Sequence, residues 1–262
     1  MYSVMHIANL YNDIYATLSH SETFKNILKE SQAEEYAGDI EQFSFVTRTD
    51  MDRMAVNILS SGAEKILDLG CGTGGITLRL SQLTGITAIG IDISHIAISC
   101  AQELARKVGV KNLSPSEFVV ADFTALPFQA STFNSVVSID AIQAAQNKVR
   151  CAQEIARVLT THGQFMFTHW FTRESIEDSI SHDVFHSALA KEGLIIESIE
   201  ETDPGLARQK KIYTRIAEER DSLVNEIGRD FVAMLLREAI VIFDSAHVVQ
   251  RGFVTARKRG TG

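Results

Sequence analysis

The sequence predicts a doubly wound α/β domain built on a mostly parallel, seven-stranded sheet. From Glu64 onward, short apolar runs alternate with helical patterns, as in sheets covered by helices on both faces. The runs are almost continuously apolar and β-branched, which strands buried on both faces require. The chain of 262 residues is 45% hydrophobic and 22% charged, so it is long enough for one large core and too apolar for a disordered protein.

Each predicted element has its own run in the sequence. The predicted strands are 65–69, 87–91, 117–121, 135–139, 164–168, 194–199 and 248–256. The helical patterns between them are 75–81, 95–108, 147–159 and 174–191. This alternation predicts a single α/β core formed by residues 61–204 and 247–262.

Two helical segments stand outside this alternation. Residues 1–60 carry Leu10, Ile14 and Leu18 on one helical face, and we expect this segment to close the site. Residues 205–246 form a second helical stretch, inserted before the last strand. A usual connection takes about 2–6 residues, so an insert of this length predicts a lid or an interface.

Charge and cysteine usage exclude several classes of protein. The net charge of -8 lacks the basic footprint that nucleic acid requires. No apolar run approaches the roughly 18 residues of a membrane span, and the first residues lack the pattern of a signal peptide. The cysteines at 71, 100 and 151 suggest neither a disulfide framework nor a zinc site. A cytoplasmic location is therefore the expectation.

The strongest local signal is the segment Asp68-Leu69-Gly70-Cys71-Gly72-Thr73-Gly74, which we call the glycine turn. Its glycines let a backbone approach a ligand closely, and the helix that follows offers free N–H groups to a carboxylate or phosphate. Gly70, Gly72 and Gly75 also satisfy the dinucleotide spacing. Asp68 would repel a pyrophosphate but suits an ammonium group, whereas Asp92 would bond ribose hydroxyls in either case.

In chain order, the motifs resemble those of the class I methyltransferases that use S-adenosylmethionine, which share a Rossmann-like fold. The matching segments are 68–74, 90–94, 121–128, 133–138, 154–165 and 251–258. The resemblance covers about residues 62 to 258. The upstream segment 38–47 is similar to one in the small-molecule branch, which includes ubiquinone, sterol and polyketide methyltransferases.

The resemblance implies a set of cofactor contacts, with S-adenosylhomocysteine as the product. The glycine turn, including Cys71, lines the methionine part, and Asp68 lies near its amino group. The other implied contacts are Asp92 with the ribose, Ile93 and Phe123 with the adenine ring, Asp122 with the adenine amino group, and Gln42 and Ser44 with the cofactor.

Candidates on the substrate side are less specific. Asp140 and Gln143 follow the fourth predicted strand at the mouth of the expected site, and His169 ends the fifth. Many small-molecule members carry a histidine where Ala144 stands, which makes a base at that position doubtful.

Aromatic residues are the candidates for substrate binding. Trp170, Tyr11 and Tyr15 could wall a substrate, and core packing is the alternative for each. His182 and His186 have a spacing that can hold a metal, but no third ligand supports one, so no metal site is predicted.

These observations predict methyl transfer to a small, apolar metabolite, by C- or O-methylation. Cyclisation or rearrangement with the same cofactor is the first alternative. A non-catalytic module, with a homodimer formed through residues 205–246, is the second. A nucleotide-sugar or NAD enzyme is the third.

Overall fold

The structure is a computed structural model that describes residues 4–37, 44–109, 117–173 and 183–260. Its strands are β1 Lys65–Leu69, β2 Thr87–Asp92, β3 Phe118–Val120, β4 Phe133–Ser138, β5 Leu159–Thr172, β6 Leu194–Glu201 and β7 Val249–Lys258. They form a seven-stranded sheet in the order β3-β2-β1-β4-β5-β7-β6. Among these strands, β7 runs antiparallel to both of its neighbours, β5 and β6, and the other neighbouring pairs are parallel. The predicted doubly wound, mostly parallel sheet is confirmed.

Helices cover this sheet and extend beyond it. They are α1 Val4–Leu18, α2 Glu22–Gln32, α3 Arg48–Ser60, α4 Gly75–Thr84, α5 His95–Val108, α6 Lys148–Val158, α7 Val184–Lys191, α8 Ala207–Glu218, α9 Arg220–Ile227 and α10 Arg229–Ser245. The predicted helix 174–191 is described only in its second half. There, Asp183 caps the start of α7 by accepting hydrogen bonds from the amides of Phe185 and His186.

The fifth strand is much longer than the sequence predicts. It spans 14 residues, because its second half pairs with β7 through residue 172. His169 and Trp170 therefore lie within β5 and not at its end. Their side chains point to opposite faces of the sheet, as successive strand residues do.

The buried apolar residues form three clusters. One lies between the sheet and α6 and α7, and another lies between the sheet and α3, α4 and α5. The third joins the N-terminal helices to the insert, with Phe24 and Ile27 of α2 packed among Ile212, Ile216 and Leu223 of α8 and α9. We call this third cluster the helical layer.

The chain order of the strands creates a crevice at one edge of the sheet. From β1 the chain moves outward to β2 and β3, and then returns to place β4 on the other side of β1. Ligands of open α/β sheets bind at such a switch point, beyond the carboxyl ends of the strands. The glycine turn directly follows β1 at this edge.

Two predicted absences can be compared with the described residues. None of the helices described there is both long and apolar enough to cross a bilayer. Cys71 and Cys151 are buried free thiols.

Candidate active site

A cavity of about 380 Å³ opens at the switch point. Its walls come from α1, the glycine turn, the ends of β2 and β4, and the segments that follow β3 and β4. The residues that line it include Ile7, Tyr11, Tyr15, Ser44, Gly70, Cys71, Gly72, Asp92, Ile93, Asp122, Phe123, Ile139, Asp140, Ala144, Ala145, Gln146 and Asn147. Most of the predicted cofactor contacts are therefore brought together.

The glycine turn is fixed to the end of β2 by backbone hydrogen bonds. The amides of Gly70 and Cys71 both donate to the carbonyl oxygen of Ile91, at 2.8 and 2.9 Å. Gly72 has a φ of +53°, and a Cβ atom there would lie 2.8 Å from the hydroxyl oxygen of Tyr15. A side chain at position 72 would therefore be strained and would also collide with α1.

Asp92 is a buried acceptor beside this turn. Its Oδ1 accepts from the amide of Ser94 at 2.9 Å, and its Oδ2 accepts from the amide of Gly72 at 3.0 Å. Burial raises the pKa of Asp92, while these backbone hydrogen bonds oppose the rise. Each carboxylate oxygen has a second lone pair, so Asp92 keeps acceptor capacity for hydroxyl groups in the cavity.

Asp122 offers a second acceptor across the cavity. Its Oδ1 takes the amide and the hydroxyl of Thr124, at 2.7 and 2.8 Å. Within the described ranges its Oδ2 accepts no hydrogen bond. Phe123 and Ile93 add apolar walls next to it. An apolar slot with one acceptor suits a purine ring that carries an amino group.

Two predicted cofactor contacts, Asp68 and Gly74, do not line the cavity in the structure. Asp68 is buried behind the glycine turn, and its Oδ2 accepts from the hydroxyl of Thr77 on α4 at 2.6 Å. Burial raises the pKa of Asp68 to about 7. Gly74 is the left-handed N-cap residue of α4. Both residues therefore support the start of α4, Asp68 through Thr77 and Gly74 as its N-cap.

Asp140 lines the cavity, but all of its acceptor atoms are occupied. Arg251 donates from Nε to Oδ1 at 2.8 Å and from a terminal nitrogen to Oδ2 at 3.0 Å. The hydroxyl of Thr168 also donates to Oδ1, and the amide of Phe45 donates to Oδ2 at 2.9 Å. This carboxylate therefore accepts four hydrogen bonds, two of them from a fully buried arginine. Asp140 thereby holds the backbone next to Ser44, and a catalytic role for it stays a prediction.

Three further candidates lie away from the cavity. Gln143 is exposed in a short 3-10 turn, and its carbonyl oxygen accepts from Lys148. His169 points between β5 and α7, because it shares a strand face with Phe167 and Phe171. Trp170, on the opposite face, packs against the helical layer, which is the packing alternative left open by the sequence.

His169 takes part in a different cluster. Its Nε2 lies 3.3 Å from Oδ2 of Asp183, and Nδ1 of His186 lies 3.0 Å from Oδ1 of the same carboxylate. Sequence spacing pairs His186 with His182, which lies outside the described residues. The neighbours in the structure are Asp183, three residues earlier, and His169, which comes from β5 and which no helical spacing reveals.

The tyrosines of α1 lie in the cavity wall. Tyr11 and Tyr15 stack with their ring centroids 6.3 Å apart. Burial raises the pKa of both, and the nearby Asp92 adds to the rise, so both phenols stay protonated. Asn12 of the same helix accepts a 2.7 Å hydrogen bond from the hydroxyl of Ser94, which fixes α1 over the site.

Gln42 lies outside the described residues, so its predicted contact stays a prediction. Ser44, its near neighbour, does line the cavity. Sequence reasoning missed the wall formed by Ile7, Ala145, Gln146 and Asn147, and it missed Arg251. A charged residue shortly before the apolar residues Phe253 and Val254 of the last strand was the available signal for Arg251.

The fold and this cavity define a nucleoside-binding α/β domain. A comparison with known families matches residues 60–221 to a family described as a methyltransferase domain. The chain belongs to this methyltransferase family, and the resemblance stated from the sequence is confirmed. The family uses S-adenosylmethionine, and the acceptors at Asp92 and Asp122 fit its ribose and adenine.

Curated relatives agree with this assignment over part of their length. The chain is 34% identical over 113 residues to cycloartenol-C-24-methyltransferase 1 of Oryza sativa subsp. japonica, covering 43% of this chain and 32% of the relative. It is 29% identical over 184 residues to 24-methylenesterol C-methyltransferase 2 of the same plant, covering 70% and 46%. It is 33% identical over 99 residues to norajmaline N-methyltransferase of Rauvolfia serpentina, covering 38% and 33%. The chain thus spans less than half the length of these relatives.

Solved structures share the fold at low sequence identity. A Galdieria sulphuraria protein assigned as a sarcosine dimethylglycine methyltransferase superposes with a TM-score of 0.72 at 17% identity, covering 91% of this chain and 97% of that one. The [4+2]-cyclase SpnF gives 0.70 at 20%, covering 98% and 97%. Phosphoethanolamine N-methyltransferase 2 of Haemonchus contortus, solved with S-adenosyl-L-methionine, gives 0.65 at 17%, covering 95% and 60%.

Proposed function

We propose that this chain transfers a methyl group from S-adenosylmethionine to a small, apolar molecule bound in the same cavity. The observation that carries the proposal is the arrangement of the cavity itself. Two carboxylates with spare acceptor capacity, Asp92 and Asp122, flank an apolar slot next to the glycine turn. The cavity continues past them to an apolar wall.

Each end of the cavity has a proposed role. Asp92 accepts from the ribose hydroxyls, and Asp122 accepts from the adenine amino group beside Phe123. The glycine turn holds the methionine part, and Tyr15 closes over it from α1. The bound cofactor supplies the electrophilic methyl group, and the protein contributes alignment and the exclusion of water. Gln42 remains a further proposed contact.

The titratable groups of the cavity favour an acceptor that needs no base. Tyr11 and Tyr15 are held protonated, and Asp140 is saturated by its hydrogen bonds. Among the described lining residues there is no histidine, glutamate or lysine. We therefore propose that the electron pair that attacks the methyl group is available without prior loss of a proton. A carbon–carbon double bond or an uncharged amine meets this condition, whereas an alcohol does not.

The wall facing the substrate supports an apolar molecule. Ile7, Tyr11, Ile139, Ala144 and Ala145 all line the cavity. The small side chains at positions 144 and 145 leave room for bulk. Some of the curated relatives are named for sterols, which are apolar acceptors with double bonds. We also propose a cytoplasmic location, and a homodimer through residues 205–246 stays a prediction.

Calorimetry on the purified chain tests the cofactor assignment. We expect S-adenosylmethionine and S-adenosylhomocysteine to bind, and NAD to give no heat. Asp92→Asn should weaken the binding of both nucleosides by about 10- to 100-fold, because a hydrogen bond to a charged group contributes about 1.5–3 kcal/mol. Asp52→Asn, an exposed change on α3, is the matched control. Tight binding of NAD together with no heat from either nucleoside would refute the proposal.

Cyclisation with the same cofactor is the alternative function, and Ala144 in the cavity wall is the observation that favours it. Incubation of apolar alkenes and amines with methyl-labelled cofactor separates the two. Labelled product with one equivalent of S-adenosylhomocysteine supports methyl transfer. Turnover of a substrate without release of S-adenosylhomocysteine supports the cyclase.

A further inference from the structure

A cluster of two histidines and one aspartate lies on the face of β5 opposite Asp140. His169 comes from β5, Asp183 is the N-cap residue of α7, and His186 is in the first turn of that helix. One possible ligand atom from each residue lies within 4.8 Å of the other two. No part of the proposed methyl transfer uses these residues.

Three ring nitrogens of this cluster lack the partners that burial requires, whereas Nε2 of His169 has a hydrogen bond with Oδ2 of Asp183. The side chain of His186 is 1% exposed, and neither of its ring nitrogens makes a hydrogen bond. Its Nδ1 approaches Asp183 to 3.0 Å, but outside hydrogen-bond geometry. Nδ1 of His169 is also buried without a partner. Buried polar groups are normally satisfied, and an ion bound to His186 would satisfy one of that ring's two nitrogens.

The geometry points to a metal ion, and we propose that His169, Asp183 and His186 bind a divalent transition metal such as Zn²⁺. Two imidazoles and one carboxylate are a common zinc donor set, and imidazole nitrogens favour zinc over magnesium or calcium. A fourth position is left for water.

One distance within the cluster agrees with this proposal. Ligands at about 2.0–2.2 Å from a tetrahedral ion stand roughly 3.3–3.6 Å apart. Nε2 of His169 and Oδ2 of Asp183 are separated by 3.3 Å, which matches such an edge. Oδ1 of Asp183 is already occupied by the two amides of α7, so Oδ2 is the oxygen that remains for the ion. Rotation of the His186 ring has to close the remaining gap.

The surroundings also suit a fixed ion. Phe167, Phe171 and Phe185 surround the two imidazoles with apolar rings. The ammonium group of Lys148 lies over the ring of Phe185, but it donates to the carbonyl oxygens of residues 142 and 143. The ion would join the start of α7 to β5, one residue from Thr168, which contacts Asp140.

Metal titration of the untagged chain tests the site. The protein is first stripped with a chelator, which is then removed, and Co²⁺ is added while the visible absorption is recorded. We expect one equivalent to bind with the ligand-field bands of a tetrahedral site, and Zn²⁺ to displace it. A rise in Tm on addition of Zn²⁺ is the second readout.

Three variants assign the ligands. Asp183→Asn keeps an oxygen that can cap α7, and we expect it to weaken metal binding by at least about 10- to 100-fold. His186→Gln should have the same effect, while His20→Gln, an exposed change, should have none. Binding of S-adenosylhomocysteine and circular dichroism report whether each variant folds. If His186→Gln does not fold, Asp183→Asn decides.

Two results would overturn the proposal. One is a stripped wild-type chain that binds no equivalent of Co²⁺ or Zn²⁺. The other is metal binding that persists unchanged in the folded Asp183→Asn variant, which would assign it to surface histidines. Failure of the cofactor titration would leave this test unaffected, because the metal readout needs no cofactor.

Discussion

At the scale of single residues, charge and packing decide what a carboxylate can do. The sequence places Asp68, Asp92 and Asp140 at the carboxyl ends of strands, where a ligand is expected. Only the structure separates their roles: Asp92 keeps spare lone pairs, Asp140 is saturated by Arg251, and Asp68 is hidden behind the turn. The sequence cannot show this difference, because the partners lie far away in the chain.

Removal of one partner from the ion pair of Asp140 and Arg251 is expected to lower the stability of the fold strongly. Asp140→Asn leaves a fully buried arginine with only the more distant Asp50, at 3.9 Å, as an ion-pair partner, so the free energy of unfolding should fall by up to about 3–5 kcal/mol. Urea unfolding measures this loss. The control is Glu197→Gln, which breaks an exposed pair with Arg257 and should cost about 0–1 kcal/mol. Equal losses in the two variants would contradict this account.

Asp68 should make the stability of the cofactor-free protein depend on pH. An aspartate ordinarily has a pKa of 3.8, as expected in the unfolded chain, whereas burial raises the pKa of Asp68 to about 7 in the folded protein. Between these two pH values the folded state therefore binds more protons than the unfolded state. The stabilising contribution is therefore present below about pH 4 and is lost as the pH rises towards 7. Asp68→Asn still accepts from Thr77 but cannot ionise.

Denaturant unfolding from pH 5 to 8 measures this effect. The free energy of unfolding of the wild type, minus that of Asp68→Asn, should decrease as the pH rises and level off above 7. Parallel pH profiles for the two proteins would show that Asp68 does not titrate in this range.

At the scale of elements, the alternation of apolar runs predicts the strands well, since burial on both faces leaves a clear signature. The boundaries of β5 and the orientation of His169 are predicted poorly. Both depend on pairing with β7, about 80 residues further along the chain, which no local pattern reveals. The insert is helical as expected, but its apolar stripe packs on α1 and α2 as well as within itself.

Packing within the helical layer should respond to a single truncation. Leu223 of α9 is fully buried, so Leu223→Ala should lower the free energy of unfolding by about 2–5 kcal/mol. Val241→Ala on α10, where the side chain is 62% exposed, should change it by less than about 0.5 kcal/mol. Urea unfolding at one pH compares them. A small loss of stability in Leu223→Ala would mean that the helical layer repacks to fill the space left by the removed side chain.

At the scale of the whole molecule, the fold class and the edge that carries the site follow from the sequence, because the strand order creates one switch point. The closure of that site does not follow. α1 forms one wall of the cavity. It is held there by the hydrogen bond from Ser94 to Asn12, which joins chain positions 82 residues apart. Sequence spacing therefore identified Tyr11 and Tyr15 as candidates without showing which ligand they face.

Cofactor binding should reduce the motion of α1 as well as that of the glycine turn. Because Ile7, Tyr11 and Tyr15 complete the cavity, S-adenosylhomocysteine should slow amide hydrogen exchange in α1. β6, at the far edge of the sheet, should show no change. Exchange followed by mass spectrometry makes this comparison. Equal protection of α1 with and without ligand would argue against its role as a wall.

The place of β7 in the sheet has a consequence for folding. This strand follows all the other strands in the sequence, yet it inserts between β5 and β6 and carries Arg251 into the interior. Until it inserts, both of those strands have an unpaired edge, and Asp140 has no counter-charge. A chain that lacks this segment can assemble the parallel strands β1 to β5 but not the ion pair beside the cavity, so ligand binding should appear only after β7 has been synthesised.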